Sequence, residues 1–393
     1  CGGFITTAGG LQALQKKLDC GLCRAPVQAS IDDNVEVAFT VAPSVRKIRF
    51  HDPDKLTSIR DVLTVFFSTS VSDLERKKQI IESGAVMTGI LKPGISEIKM
   101  QLEAGSYAFG SPLEHADLEI VVSPKNTAQT VLVELIDGSF IPETINLAPG
   151  EQTLSVRNRV GRERVYGLIR EPQKLMADSF GTPGRKPAPT FLPYLGGKRL
   201  VTTQTFRDLF RSESIPSGNG LEFKNLTLLF TDLKGSTEMY RRIGDFKAYG
   251  IVREHFALLR TIVAKSGGAV VKTIGDAIMA SFADPSDALE AATRMNREVK
   301  SVGMGEDLVL KIGLHTGPCI AVELNDRLDY FGQTVNVAAR VQSAAAAGEI
   351  AVSPDIYASP RVRDVIAGAQ LKAQKDAVSL KGVGSAVEIY RLK

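Results

Sequence analysis

The segment at residues 226–237, LTLLFTDLKGST, constrains the fold more than any other part of the sequence. Its apolar run predicts a buried strand that ends at Asp232, and Gly235 predicts a tight turn before a helix that begins at Ser236 and Thr237. Asp232 can bind a divalent cation there, while the free N–H groups of the turn can bind anionic oxygens. Taken alone, Asp232 is also a good helix N-cap.

From residue 226 onward, the sequence alternates between helix and strand patterns in the order βαββαββα, followed by terminal strands. The predicted elements are a helix capped by Asp245 and ending at Lys265, a hairpin with Asp276 at its tip, a helix starting at Asp284-Pro285, strands at 308–314 and 319–324, a helix at 333–346, and strands at 350–352 and 387–392. This order predicts an α+β domain in which helices cover one mixed sheet.

The part of the chain before residue 226 has a different sequence pattern. Short β-branched runs between turn residues predict a β-rich, sandwich-like domain at 31–170, including a strand at 62–67, with one helical segment at 71–83. A Pro- and Gly-rich linker follows, and 202–211 predicts a short amphipathic helix that either influences dimer geometry or simply packs on its neighbour. We therefore expect four regions: 1–30, 31–170, 171–222 and 223–393.

The composition excludes several classes of protein. A net charge of +4 over 393 residues, without a dense Lys/Arg run, does not favour a nucleic-acid partner. No apolar segment approaches the roughly 20 residues that cross a bilayer, and we find no signal peptide. The sequence begins with Cys1 instead of methionine, which is typical of a fragment or a processed chain.

The cysteines are sparse, which is typical of a reducing compartment, so we expect a cytoplasmic protein. Cys20 and Cys23 form a Cys-x-x-Cys pair, which is either half of a structural zinc site or two ordinary reduced thiols. The remaining ligands of such a zinc site are not evident in the sequence.

Two carboxylates carry the predicted chemistry. Asp232 ends one central strand and Asp276 lies at the tip of the neighbouring hairpin, so their side chains can meet. Two such carboxylates repel each other unless cations lie between them, and a pair of hard divalent ions satisfies both. A two-metal site of this kind favours in-line attack of an oxygen on phosphorus.

Four further positions carry polar groups suited to a nucleotide. Lys272 precedes Asp276 by four residues, and Asn336 and Arg340 are four apart on one predicted helix, so they share a face. An amide and a guanidinium together fit a ribose oxygen and a phosphorus that gains negative charge. Lys381 follows a loop and can reach a terminal phosphate. Taken singly, each is more often a solvated surface residue.

Four segments, in this order and spacing, resemble the class III nucleotidyl cyclases: FTDLKGST, VVKTIGDAIMASF, DYFGQTVNVAARV and SLKGVG. The resemblance covers residues 226–393, and the region before it is similar to that of some bacterial cyclases. It implies two Mg²⁺ or Mn²⁺ ions per site and a homodimer with two equivalent sites. In each site, Asp232 and Asp276 come from one cyclase domain, and the other domain contributes Lys272, Asp329, Asn336, Arg340 and Lys381. The implied roles are metal binding by Asp232, Asp276 and the Leu233 carbonyl, purine selection by Lys272 and Asp329, transition-state stabilisation by Asn336 and Arg340, and triphosphate binding by Lys381 together with the turn at Gly235, Ser236 and Thr237.

The purine-selecting positions indicate the substrate. Adenine presents an amino donor at N6 and an acceptor at N1, which match an acceptor at Asp329 and a donor at Lys272. Guanine reverses this polarity, and a polar mismatch can reject the wrong base by a factor on the order of 10⁴. We therefore predict an adenylyl cyclase that converts ATP to cyclic AMP and pyrophosphate. The alternatives are a guanylyl cyclase and a catalytically quiet nucleotide-binding module.

Overall fold

The computed structural model describes residues 18–19, 26–27, 31–32, 37, 44–47, 56, 58–66, 72–111, 116–127, 130–136, 138–180, 192–209, 221–299, 308–324, 327–379 and 386–393. The interpretations of Cys1, Cys20, Cys23 and Lys381 lie outside these residues. The chain divides into two compact units, of which the first is Cys1–Gly9, Lys16–Ala29 and Ala38–Tyr194, and the second is Gly10–Gln15, Ser30–Val37 and Leu195–Lys393.

The first unit is mainly β, as predicted. Its larger sheets have the strand orders β4-β10-β7-β8 and β3-β11-β5-β6-β9, and their apolar faces share a core that includes Phe109, Phe140 and Leu154. Its described elements are β1 (Leu18–Asp19), β2 (Pro26–Val27), α1 (Ile59–Phe66), α2 (Leu74–Ser83), β3 (Ala85–Leu91), β4 (Gly94–Leu102), β5 (Gly105–Ser111), β6 (Ala116–Val122), β7 (Thr130–Ile136), β8 (Ser139–Ile141), β9 (Thr144–Leu147), β10 (Gly150–Asn158), β11 (Arg164–Arg170) and α3 (Pro172–Phe180).

The predicted strand at 62–67 is wrong, because this segment forms the helix α1. Ser58 caps the helix, since its hydroxyl oxygen accepts a hydrogen bond from the Asp61 N–H at 3.1 Å. Val62 packs on Leu56 and Val165, so a β-branched residue serves here as a core contact of a helix. The cap and the tertiary contact together outweigh the local strand preference.

The second unit is the predicted α+β domain. Its main sheet has the order β13-β14-β12-β15-β17-β19-β18, with β16 paired to β15, and it is mixed because β15 and β17 run parallel. Its described elements are α4 (Gly197–Val201), α5 (Gln204–Leu209), β12 (Leu221–Lys234), α6 (Ser236–Ile243), α7 (Asp245–Lys265), β13 (Gly268–Ile274), β14 (Ala277–Phe282), α8 (Pro285–Glu298), β15 (Val309–Leu324), β16 (Arg327–Phe331), α9 (Gln333–Ala344), β17 (Ile350–Val352), α10 (Pro354–Tyr357), α11 (Pro360–Gly368), β18 (Ala373–Ser379) and β19 (Ala386–Leu392).

The two strands predicted at 308–314 and 319–324 form one continuous strand, β15. Pro318 carries no N–H and normally interrupts a ladder. Here the partner strand β12 contains a bulge between Phe223 and Leu226, whose partners are Cys319 and Gly317, so the bulge lies opposite Pro318. The predicted cap of α7 is also corrected, because Gly244 is the N-cap and Asp245 is the first helical residue.

Helices cover both faces of the main sheet. On one face, Leu229 and Leu233 of β12 join residues of α7 and α8, such as Leu259 and Leu289, in a single buried core. On the other face, α9 packs closely, because a Cβ at Gly313 of β15 would lie 2.2 Å from the Cα of Gln342. Only glycine allows this approach, and it fixes α9 against the centre of the sheet.

Candidate active site

Asp232 and Asp276 lie at the same end of two neighbouring strands. Phe230 of β12 pairs with Met279 of β14 in an antiparallel register, and Asp232 follows Phe230 by two residues in β12. The Thr231 hydroxyl oxygen accepts a hydrogen bond from the Ile278 N–H at 3.0 Å, which holds the register at this point. Asp276 directly precedes Ala277, where β14 begins, so both aspartates lie at this end of the strand pair.

This pair fits a divalent cation. Both aspartates are half-buried, and the Oδ2 atom of Asp276 is buried without a hydrogen-bond partner within the described part of the chain. A buried carboxylate oxygen in that state is costly unless a cation binds it. Among the described residues, no group of three or more acidic, His or Cys side chains is placed to hold a metal. Carbonyl, water and phosphate oxygens therefore have to complete the coordination.

The fully buried His255 of α7 lies close to Asp276. Burial lowers the pKa of His255 to about 4, and the negative charge of Asp276 offsets only part of that effect. The imidazole is therefore neutral at physiological pH. It supplies no positive charge to balance Asp276, which leaves that role to a cation.

The turn after β12 has the predicted form. Gly235 has a φ of 79°, in the left-handed region that favours glycine, and it is the N-cap of α6 without a side-chain cap hydrogen bond. Asp232 lies in the strand two residues before its end at Lys234, not at the end itself. Ser236 begins the helix, and its first-turn N–H groups are available to an anionic oxygen.

The structure brings Lys272 and Asp329 together, although they are far apart in sequence. The Lys272 Nζ atom donates a hydrogen bond to the Asp329 Oδ2 atom at 2.6 Å, and the Tyr330 N–H donates to the Oδ1 atom at 2.8 Å. The Lys272 side chain is 41% exposed and the Asp329 side chain 14% exposed. A donor and an acceptor are thus held side by side, with hydrogens and lone pairs left for a ligand.

Asn336 and Arg340 lie on α9, on the side turned away from the sheet. Ala338 is fully buried against the sheet, and each of the two polar residues is two positions from it, about 200° around the helix. Asn336 is exposed and Arg340 is half-buried. The structure therefore does not bring these side chains towards Asp232 and Asp276 within one protomer.

Gln204 and Arg207 of α5 are further functional candidates that were not predicted from the sequence. Gln204 bonds to β13, which carries Lys272, and Arg207 bonds to β16, which carries Asp329. The available signal was the presence of these polar side chains in an amphipathic helix just before the cyclase-like region.

Two family profiles match the chain. Residues 220–393 match the adenylate and guanylate cyclase catalytic domain, and residues 1–208 match a family of unknown function, DUF5939. The chain belongs to this family of unknown function and carries a class III adenylate/guanylate cyclase catalytic domain at its C-terminal end. The described residues contain no helix long and apolar enough to span a membrane.

Several cyclases are similar to this chain. A receptor-type adenylate cyclase of Trypanosoma congolense is 28% identical over 239 residues, covering 49% of this chain and 30% of that protein. An adenylate cyclase of Mycosarcoma maydis is 33% identical over 182 residues, covering 40% of this chain and 7% of that protein. The human guanylate cyclase soluble subunit beta-2 is 28% identical over 149 residues, covering 35% of this chain and 24% of that protein. The chain therefore spans less than a third of each relative.

Among solved structures, an adenylyl cyclase from P. aeruginosa is 25% identical and has a TM-score of 0.38, covering 44% of this chain and 96% of that chain. A guanylate cyclase domain from Catenaria anguillulae, solved with GTP, is 25% identical and has a TM-score of 0.39, covering 44% of this chain and 97% of that chain. Both adenylate and guanylate cyclases therefore occur among the similar proteins. These comparisons lend no support to a zinc site at Cys20 and Cys23.

Proposed function

We propose that this protein is an adenylyl cyclase that converts ATP to 3′,5′-cyclic AMP and pyrophosphate. The observation that carries the proposal is the Lys272–Asp329 pair, in which the Nζ and Oδ2 atoms are 2.6 Å apart. The ammonium group has hydrogens left to donate to adenine N1, and the carboxylate has lone pairs left to accept from the N6 amino group. Guanine would place a donor against Lys272 and an acceptor against Asp329, leaving polar groups unpaired.

Asp232 and Asp276 are proposed to hold two Mg²⁺ or Mn²⁺ ions, together with the Leu233 carbonyl oxygen. When bound, the ions lower the pKa of the ribose 3′-hydroxyl and neutralise the leaving phosphates. The chain's own contribution is to fix the two carboxylates through the β12–β14 register. The first turn of α6, at Gly235, Ser236 and Thr237, would bind the triphosphate together with Lys381 of a second copy of the chain.

In each site, Lys272, Asp329, Asn336, Arg340 and Lys381 would come from a second copy of the chain. Asn336 would orient the ribose, and Arg340 would stabilise the negative charge that develops on the α-phosphate during in-line attack. Both face away from their own sheet, so they suit a site on a partner. A symmetric dimer would then form two equivalent sites.

An exposed apolar surface next to Asp329 supports this dimer. Ile320 pairs with Phe331, and Leu324 lies on the same face of the β15–β16 hairpin as Asp329. These side chains are 39%, 67% and 50% exposed, respectively. Such a surface is typical of a protein–protein contact.

A product assay tests the proposal. The purified chain is incubated with ATP or GTP and Mg²⁺ or Mn²⁺, and the cyclic nucleotide and pyrophosphate are quantified. We expect cyclic AMP in clear excess over cyclic GMP. Predominant cyclic GMP would identify a guanylyl cyclase, and no cyclic nucleotide from a folded dimer would identify a quiet nucleotide-binding module. Either result overturns the proposal.

A further inference from the structure

The anchor segment, defined here as α4 and α5 at residues 197–209, is docked on the cyclase unit. Its polar links reach two helices and two strands of that unit. They join Arg199 to Asp287 of α8, Gln204 to the Val270 N–H of β13, Arg207 to the Leu328 carbonyl of β16, and Asp208 to Arg260 of α7. The match to the family of unknown function ends at residue 208, so its last residues are part of the cyclase unit's packing.

Gln204 holds the strand that carries Lys272. Its side chain is only 7% exposed, and its Oε1 atom accepts a hydrogen bond from the Val270 N–H at 2.8 Å. β13 is the edge strand of the sheet, and its pairing with β14 is irregular between Val270 and Lys272. An irregular edge has few ladder hydrogen bonds to fix it. Gln204 therefore fixes the backbone at the point where Lys272 leaves the regular register.

Arg207 holds the strand that carries Asp329. Its Nη1 atom donates to the Leu328 carbonyl at 2.8 Å, and its guanidinium lies 5.2 Å from the centroid of the Tyr330 ring. Leu328 and Tyr330 are the two neighbours of Asp329, so Arg207 contacts both sides of that residue. A hydrogen bond and a cation–π contact together restrain this stretch of backbone.

We propose that the anchor segment sets the geometry of the base-reading pair, with Gln204 and Arg207 as positioning residues for Lys272 and Asp329. This inference rests on the proposed function, because it concerns how the same site reads adenine. Lys272 and Asp329 come from strands that are not adjacent in the sheet, and their contact depends on how β13 and β16 are held. The anchor segment bonds to both strands, so a shift of α5 moves the donor relative to the acceptor.

Such a shift of the donor relative to the acceptor affects recognition of the base more than it affects the chemical step. Neither Gln204 nor Arg207 contacts the candidate metal ligands or α9 through a hydrogen bond within the described residues. We therefore expect Arg207→Met and Gln204→Met to raise KM for ATP about tenfold, equivalent to the loss of one good hydrogen bond, with kcat changed less than about threefold. The selectivity for ATP over GTP falls by a similar factor. Arg207→Lys retains a donor and recovers part of the loss.

The matched control is Arg199→Gln, which removes the ion pair of the same segment to Asp287 of α8 and, among the described residues, no hydrogen bond to β13 or β16. It retains wild-type KM and selectivity. A merely structural role of Arg207 would lower the folded fraction, so kcat would fall in proportion to loss of stability while KM stayed constant. Thermal unfolding of each variant is measured alongside, and Gln204→Met replaces Arg207→Met if the latter does not fold.

Calorimetric titration with 3′-deoxy-ATP and 3′-deoxy-GTP, which cannot cyclise, separates this inference from the proposed function. A weakened preference for the adenine nucleotide in Arg207→Met, but not in Arg199→Gln, supports the inference whether or not the protein turns over ATP. Unchanged dissociation constants in an active Arg207→Met overturn the inference alone. A wild-type chain that binds neither nucleotide and forms no cyclic product overturns both.

Discussion

The two ends of the candidate active site differ in how far the chain itself satisfies their polar groups. At the metal end, Asp232 and Asp276 lie at the same end of β12 and β14, and the buried Oδ2 atom of Asp276 has no hydrogen-bond partner among the described residues. At the base end, Lys272 and Asp329 form an ion pair, and the Tyr330 N–H binds the second carboxylate oxygen.

This contrast indicates which end of the site has its final geometry before a ligand binds. The base end is held by protein contacts and is shaped before a ligand arrives, which favours selectivity. At the metal end, the nearby His255 is neutral and the Asp276 Oδ2 atom is unsatisfied among the described residues, so this end would be completed by cations. Substitutions at the metal end should therefore affect turnover, and those at the base end should affect choice of nucleotide.

The largest effect is expected from Asp276→Ala. Loss of this carboxylate removes a cation ligand, so kcat should fall by a factor on the order of 10³ or more while the fold is retained. Steady-state cyclic AMP formation and circular dichroism measure the two quantities. Asp245→Ala, which removes an exposed carboxylate from the start of α7, is the matched control and should retain activity. Substantial turnover by Asp276→Ala would contradict the metal role.

A smaller effect is expected at the base end. The double variant Lys272→Glu with Asp329→Cys reverses the donor and acceptor pattern, so the ratio of kcat/KM for ATP to that for GTP should fall by a factor on the order of 10² or more. Competition assays with both nucleotides measure this ratio. An unchanged preference for ATP would show that these side chains do not read the base.

The smallest effect is expected at Glu349, whose carboxylate binds Arg391, Lys393 and the Ala346 N–H and, among the described residues, no residue of either end. Burial raises the pKa of this carboxyl, but hydrogen bonds from Lys393, the Ala346 N–H and Arg391 outweigh burial, so its pKa lies below its ordinary value. The carboxylate stabilises the fold above pH about 4.5, and this contribution is lost as pH falls through the lowered folded pKa. Glu349→Gln should cost about 1–3 kcal/mol at pH 7.

Urea unfolding of Glu349→Gln and wild type between pH 3 and 7 tests this prediction. The difference in free energy of unfolding should shrink towards acid pH, and the selectivity for ATP over GTP should stay the same. A change in selectivity would mean that the base end depends on the overall stability of the sheet, which would weaken the contrast between the two ends.

The sequence predicted the α+β architecture and the hairpin at Asp276, because the helices have clear apolar spacing and capping residues. Asp284, for example, accepts a hydrogen bond from the Ser286 N–H as predicted. The continuity of β15 was not predictable from its own residues, since the bulge that accommodates Pro318 lies in β12. A compensating bulge on the partner strand leaves no pattern in the sequence of β15 itself.

The candidate site shows the same limit. The i, i+4 spacing placed Asn336 and Arg340 on one helix face, but the direction of that face follows from the packing of α9 at Gly313. Lys272 and Asp329 are 57 residues apart in the sequence. Their shared role in purine selection was predicted from the family resemblance, not from any local rule. Gln204 and Arg207 were missed because their partners are backbone groups, which have no sequence signature.

Complementation between two inactive variants tests most directly the claim that each site is shared between two copies. Asp276→Ala and Arg340→Ala should each be nearly inactive as homodimers. If they exchange subunits freely, half of the dimers are mixed and each mixed dimer has one intact site, so about a quarter of wild-type activity should return. A mixture that remains inactive, although size-exclusion chromatography confirms mixed dimers, would contradict the account.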